Sequence, residues 1–563
     1  MVRLLGYIFQ RRLSRPVRES CIAKNGVVSS KHPLIGKTGV DIMRKGGNAI
    51  DAAVASAFVD CVVEPAMNGI GGEGVMTIHT AGGENIIIDY VGRPSKNCTP
   101  DMYELVDEIE PGWMGWRRVK NDENIVGHKA AVVPGTVAGL CKALELYGTM
   151  ELKEVLEPAI KIAEEGFIVG WWAASHIISC METFSRFLHW RNLFLVDGLY
   201  PPKPYNHRLR HSPSLLVNKD LARTLRLISE AGPEAFYKGE IAEAIAGDMF
   251  ENGGLITLED LRIYEPSVIK PIPGNYRGLE VVYDPSHAGL TLVEMLNIIE
   301  WFDISSYGFG SFKHLHLIAE AIGLAFADRF EFMGDPEFIE VPQKNLASKK
   351  YAEERKREIS FEKAAEIRSG NPWNSEECTT ALTVSDSQGN SVVVNQTLVN
   401  VFGCGVVVPG TGIILNNAMY GLNPEPGHAN SINGRKRRIQ NVCPIILLKD
   451  EFPYLSVGAP GGRAIQPSIF QTIVNIVDFG MDVQSAIDSP RIVRETDEIL
   501  IDNRFPREVY EKLLRIGHRA FYIDNEIANW GRPVGIVSDF EKGLLFGGGD
   551  CSFLGFEAEA IGF

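Results

Sequence analysis

The chain has 563 residues, 45% of them hydrophobic and 23% charged, with 56 glycines. That is the composition of a globular protein with enough length for several cores or one large one. With 56 basic against 71 acidic residues the formal charge is −15, which argues against a nucleic-acid partner and leaves no broad attraction to anionic lipid.

The start of the chain carries a local basic cluster, Arg11, Arg12, Arg15 and Arg18, beside one short apolar run, Leu4 to Phe9. That run is too short for a secretion-signal core or a membrane span, and the expectation is a cytoplasmic protein with no membrane partner. Nine cysteines are scattered without a Cys-x-x-Cys pair, so neither a disulfide framework nor a zinc site is expected.

Asn48 to Val63 predicts a helix of small apolar residues ended by Glu64-Pro65. It is apolar nearly all round and should be buried. Gly69-Ile70-Gly71-Gly72-Glu73-Gly74 follows and matches the dinucleotide fingerprint G-x-G-x-x-G. The context is wrong: here a helix precedes the glycines and a strand-like run, Val75 to Thr80, follows, whereas a pyrophosphate site needs strand, glycines, then helix.

From Val137 to about Ile359 the spacing is mostly helical, with segments at 138–147, 151–165, 221–231, 292–301 and 313–333. In the last, His314, His316 and Glu320 have ligand chemistry, but no third ligand at suitable spacing joins the one-turn pair His316 and Glu320. They read as polar residues on a packed helix, with no metal implied.

The character then turns to β. Thr380 to Ser385 is β-prone, Ser387-Gln388-Gly389-Asn390 reads as a turn, and Ser391 to Leu398 is a second β-prone run. A hairpin centred on Gln388 sets Thr379 opposite Thr397, each nine residues from the centre. Two hydroxyls therefore meet at the open end of a strand pair. Cleavage of the Cys378–Thr379 bond would free there an α-amine with a reference pKa of about 7.7–8.0, a base beside the hydroxyl it must activate.

Further strands are expected at 406–408, 413–415, 444–448, 454–457, 535–538 and 543–546, and helices at 465–478 and 507–515. The loop Gly458-Ala459-Pro460-Gly461-Gly462-Arg463 lies between a strand and a helix, the order of an anion site built from backbone N–H groups. Without a phosphate-loop lysine it suits an oxyanion hole better than a nucleotide. No G-x-S-x-G elbow is present, which disfavours an ordinary α/β-hydrolase serine.

With these residues in hand, the chain resembles the γ-glutamyltranspeptidase family of proenzymes, which are N-terminal-nucleophile (Ntn) hydrolases. The likeness runs from Arg44-Lys45-Gly46-Gly47-Asn48 and Val63-Glu64-Pro65 through Val133-Pro134-Gly135-Thr136, Leu156-Glu157-Pro158 and Ala327-Asp328-Arg329 to Gly334-Asp335-Pro336. It continues with Phe402-Gly403-Cys404-Gly405, Leu415-Asn416-Asn417, Pro460-Gly461-Gly462 and Ser489-Pro490-Arg491. The resemblance implies an αββα sandwich, two stacked sheets between helical layers, made as one chain and self-cleaved into a large subunit, 1–378, and a small one, 379–563. It implies Thr379 as nucleophile toward the Cys378 carbonyl and then toward a small-molecule amide, Thr397 as its orienting partner, and the Gly461 and Gly462 amides as the oxyanion hole. It implies no metal or organic cofactor.

The departures concern the substrate. In true transpeptidases an arginine, an asparagine, a glutamate, an aspartate and a serine pair clamp the γ-glutamyl head group. Ungapped alignment of the motifs sets Val91, Val399, Ala418, Gly421, Gln440 and Asn441 at those places. Valine cannot hold a carboxylate as arginine does, and alanine and glycine cannot pair with an ammonium. Arg93, two residues along, is the candidate replacement anchor, and Gln440 and Asn441 keep hydrogen-bonding capacity. These changes, and Val406-Val407-Val408-Pro409-Gly410-Thr411-Gly412, are similar to the family's amidohydrolase branch, such as oxamate-type hydrolases. The expected activity is an Ntn amidohydrolase whose acyl group carries a carboxylate or other polar end. A true glutathione hydrolase or γ-glutamyltransferase is the alternative, and an unprocessed non-catalytic relative a second.

Overall fold

A computed structural model describes residues 18–109, 116–204, 212–366, 378–494, 497–524, 530–551 and 558–563, with only the backbone of Cys378. The apolar run Leu4 to Phe9 and the arginines before Arg18 lie outside the described residues. Two seven-stranded antiparallel sheets stack face to face. In spatial order the first holds Glu559–Gly562, Gly26–Ser30, Cys378–Asp386, Ser391–Val399, Glu73–His79, Asn85–Asp89 and Ser267–Ile269. The second holds Cys21–Ala23, Leu544–Gly549, Val534–Asp539, Phe452–Gly458, Ile445–Lys449, Leu279–Val282 and Gly274–Tyr276.

Strand alternation sorts the side chains of the central hairpin between two environments. Leu382, Val384, Val392 and Val394 enter a core shared with the helices Pro33–Arg44, Ala49–Val63, Thr136–Tyr147 and Leu152–Glu165. Val393, on the other face, packs against Val282, Ile446 and Leu448 of the second sheet. Beside it the Ser385, Ser391 and Ser456 hydroxyls form a chain at 2.8 and 2.6 Å that crosses between the sheets. The far face of the second sheet buries Val281, Leu447, Leu455 and Val457 under the helices Ala288–Ile299, Phe312–Phe332 and Ile465–Val477. The order is helices, sheet, sheet, helices, an αββα sandwich. Each sheet draws strands from both sides of residue 378, so neither 1–378 nor 379–563 holds a complete sheet.

The helix Ala49–Val63 is buried along its whole length, as its composition predicts, and starts in a reciprocal capping box between Asn48 and Asp51. The glycine run behind it serves close packing. A Cβ on Gly72 would come 2.5 Å from the Thr397 carbonyl oxygen, and one on Gly71 2.2 Å from that of Ile414. Only glycine lets this segment lie against the strand Ser391–Val399. The stretches 406–408 and 413–415, expected as strands, instead join each other by one isolated bridge, Val407 to Ile414, and Leu415 bridges Gly71. Pro409 and the left-handed Gly410 and Gly412 turn the chain too tightly for a ladder to grow. Among the described residues no helix is long and apolar enough to cross a membrane.

Candidate active site

The hairpin forms in the expected register: Thr380 pairs with Gln396 and Ser385 with Ser391 around the turn at 387–390. At its open end the register slips. Cys378 pairs with Val399, so Thr379 alone opposes two residues, Thr397 and Leu398. This is a β-bulge on the second strand. Thr397 Oγ1 accepts the Val399 amide at 2.8 Å, and Val399 is forced to φ 84°, a conformation rare for a β-branched residue. Thr397 still faces Thr379, now from a pinned kink.

Alternation also sets where Thr379 points. Thr380 turns to the helical layer, its hydroxyl 3.2 Å from Asp60 Oδ1. Ala381 lies on the opposite side, where a Cβ on Gly458 would meet it at 3.5 Å. Thr379 therefore belongs to the inter-sheet face, and it is 4% exposed. Its carbonyl accepts from Lys31 Nζ at 3.2 Å, and Lys31 is itself 3.6 Å from Glu64.

The glycine loop arrives from the second sheet. Gly461 (φ 128°) and Gly462 (φ 57°) are buried and lead through a short 3-10 turn, Gly462–Ala464, into the helix Ile465–Val477. Asn395 ties this loop to the strand Cys378–Asp386, its Nδ2 lying 2.9 Å from the Ala459 oxygen and 3.2 Å from that of Thr380. Sequence reasoning missed the contacts of Asn395 and Lys31 with this strand. The one available signal was an asparagine following Val392-Val393-Val394 inside a strand.

This architecture has close counterparts. A model of the family described as gamma-glutamyltranspeptidase matches residues 36–552. The chain belongs to the γ-glutamyltranspeptidase family. It is 40% identical over 498 residues to the acylase ACY 1 proenzyme of Pseudomonas sp. (strain SE83), covering 88% of this chain and 87% of that one. It is 35% identical over 553 residues to a glutathione hydrolase proenzyme of Bacillus subtilis (strain 168), covering 94% and 91%. A cephalosporin acylase structure from Bacillus halodurans superposes with a TM-score of 0.86 at 30% identity over 98% of both chains. The protein is an enzyme of the Ntn amide hydrolase and acyltransferase class.

Within this family member the six altered positions divide into apolar and polar sets. Val91 packs with Val75, Ile87 and Val442. Val399 and Ala418 enter an apolar cluster with Met419 and Tyr420. Gly421 lies against Arg438, whose Cδ would be 2.2 Å from a Cβ there. Gln440 accepts from Arg438 Nη2 at 2.9 Å and donates to Glu73. Asn441 Oδ1 accepts from Arg329 at 2.8 Å. Arg93 is engaged with Glu337, Nη1 and Nη2 lying 3.0 and 2.8 Å from its two carboxylate oxygens.

Two other buried clusters have ligand chemistry. His518, distant in sequence, joins His316 and Glu320 and supplies the third group that sequence spacing did not show. Here His316 Nδ1 and His518 Nε2 bond each other at 2.8 Å, and Glu320 takes the Arg494 guanidinium at 3.1 Å. Burial pushes His316 down to about 4 and His518 to about 3, so both rings are neutral donors and acceptors of a side-chain network. His314 lies apart and accepts from the Gly310 amide. In the second cluster burial opposes charge on His287, but Asp284 and Asp89 outweigh it and raise its pKa. Arg437 bonds Asp89 at 2.6 Å and Asp335 at 2.9 Å beside it. In both clusters an arginine pairs with one of the carboxylates.

Proposed function

We propose that Thr379 is the nucleophile of a self-processing amidohydrolase that cleaves small amides whose acyl group carries a carboxylate or other polar end. One observation carries the reading: a buried threonine on the inter-sheet face opposes a second threonine, with a glycine loop tied to its strand through Asn395. In processing, Thr379 Oγ attacks the Cys378 carbonyl carbon and the C–N bond breaks as its nitrogen takes a proton, leaving an ester. Water hydrolyses that ester to a Cys378 carboxylate and a free Thr379 amine.

In turnover the amine accepts the Oγ proton as Oγ bonds the substrate carbonyl carbon, then returns it to the departing amine. The Gly461 and Gly462 amides hold the oxyanion, Thr397 orients Oγ, and Gln440 and Asn441 border the acyl pocket. Arg93 can serve as an acyl anchor only by parting from Glu337. Water resolves the acyl-enzyme. The likeness to acylase proenzymes supports amide hydrolysis.

The test is N-terminal sequencing and intact mass of purified protein. Fragments 1–378 and 379–563 are expected, and a Thr379→Ala variant is expected to remain one chain without turnover. A wild type that stays full-length, or a variant that still cleaves, overturns the reading. Likeness to glutathione hydrolase proenzymes favours a second reading, γ-glutamyl transfer or hydrolysis. Brisk release from γ-glutamyl-p-nitroanilide would select it.

A further inference from the structure

Two histidines and a glutamate meet from parts of the chain on either side of residue 378. His316 and Glu320 stand one turn apart on the helix Phe312–Phe332, and His518 follows the helix Arg507–Arg515. All three side chains are fully buried. His316 Nδ1 and His518 Nε2 are 2.8 Å apart, and Glu320 Oε1 lies 3.8 Å from the first and 3.4 Å from the second. The point equidistant from these three atoms is about 2.0 Å from each, the bond length zinc makes to imidazole nitrogen and carboxylate oxygen.

The surrounding contacts orient the rings for an ion. His316 Nε2 lies 3.0 Å from the Ser360 carbonyl oxygen. A carbonyl only accepts, so Nε2 carries the hydrogen and the Nδ1 lone pair faces the cluster. Metal-bound histidines are held by the same kind of contact on the nitrogen away from the ion. His518 then donates from Nε2 to His316 Nδ1. Its own Nδ1 has no hydrogen-bond partner among the described residues, and neither has Glu320 Oε2. Moving the His518 proton from Nε2 to Nδ1 turns a second lone pair toward the ion with no net loss of a proton.

We propose that His316, His518 and Glu320 form a zinc site that staples 1–378 to 379–563. His316 and Glu320 belong to the first part and His518 to the second, so the ion joins them whether or not the bond at 378 is cut. Two imidazoles with one carboxylate suit zinc, whereas magnesium and calcium take oxygen ligands. The competitor is Arg494, whose Nη1 donates to Glu320 Oε1 at 3.1 Å and whose charge opposes a dication. It has other acceptors, the Ala319 and Ala365 carbonyl oxygens at 3.5 Å, and stays bonded when the carboxylate is shared. That repulsion sets the expected affinity in the micromolar range.

The test is equilibrium dialysis of the whole, chelator-treated protein, with bound metal counted by elemental mass spectrometry. One saturable zinc per chain is expected, and no magnesium. His518→Gln keeps a hydrogen-bonding side chain and should bind zinc at least tenfold more weakly. Zinc should raise the denaturant midpoint of wild type and leave that of His518→Gln where it was. Should the variant not fold, X-ray absorption of zinc-loaded wild type judges the site, with two imidazoles and bonds of about 2.0–2.1 Å expected. Absence of saturable binding, a zinc shell without imidazole, or equal affinity or equal midpoint shift in the folded variant overturns the inference. The cluster is then a hydrogen-bonded network alone.

Discussion

The proposed reacting end of the site and its proposed pocket wall are built differently. Thr379, Thr397, Gly461 and Gly462 owe their places to backbone: a strand register, a bulge and a left-handed turn. The wall, Glu73, Arg438, Gln440, Asn441 and Arg329, is held by side-chain pairs that join segments 112 to 367 residues apart. Backbone geometry tolerates few substitutes, whereas ion pairs can be rewired while the fold stands. The reacting end therefore matches the family's pattern, and the wall departs from it.

If that contrast holds, damage to backbone geometry should cost the most. Gly461 sits at φ 128°, which an L side chain rarely adopts. Gly461→Ala should lower kcat/KM about 100- to 1000-fold, the loss of one oxyanion donor, and slow self-cleavage in parallel. Near-wild-type turnover would break the comparison. Thr397→Ala should cost less. It removes the acceptor for the Val399 amide and leaves Val399 to hold its strained conformation unaided, so self-cleavage should slow about tenfold to a hundredfold. A time course on denaturing gels measures it, and an unchanged rate would remove Thr397 from the site.

The same contrast explains what was legible in the sequence. The hairpin register could be counted from one turn because strand pairing is local and periodic, and it held from Thr380 to Ser385. The bulge beyond it could not be counted, because it follows from Leu398 turning to the helical core while Thr397 stays on the inner face. The helix Ala49–Val63 announced its burial by being apolar on every side. The short strands Gly274–Tyr276, Leu279–Val282 and Cys21–Ala23 did not stand out, since each is a brief edge or near-edge partner whose register comes from a neighbour. Lys31, His518 and Arg438 were invisible for a plainer reason. Their partners, Thr379, His316 and Glu73, are remote in sequence, and no spacing rule joins them.

An effect on stability rather than on rate sharpens the comparison most, because it asks whether the reacting end also leans on side chains. Asp60 lies under the nucleophile strand, 3.2 Å from the Thr380 hydroxyl and 3.2 Å from Asn68 Nδ2. Burial, reinforced by the Glu64 carboxylate and opposed by Lys31, pushes its pKa up to about 7. The folded chain thus keeps a proton that the unfolded chain releases near pH 4. The stability this group contributes is present below about pH 4 and is lost as pH rises through 7, a total of roughly 4 kcal/mol for three pKa units. Asp60→Asn cannot titrate. Compared in a Thr379→Ala background, so that both proteins stay as one chain, the asparagine variant should gain on its parent steadily from pH 4 to 7 and hold that gain above pH 8. Denaturant midpoints measure the difference. A flat difference would mean that Asp60 titrates as an ordinary carboxylate, and that the hairpin end stands on its backbone alone.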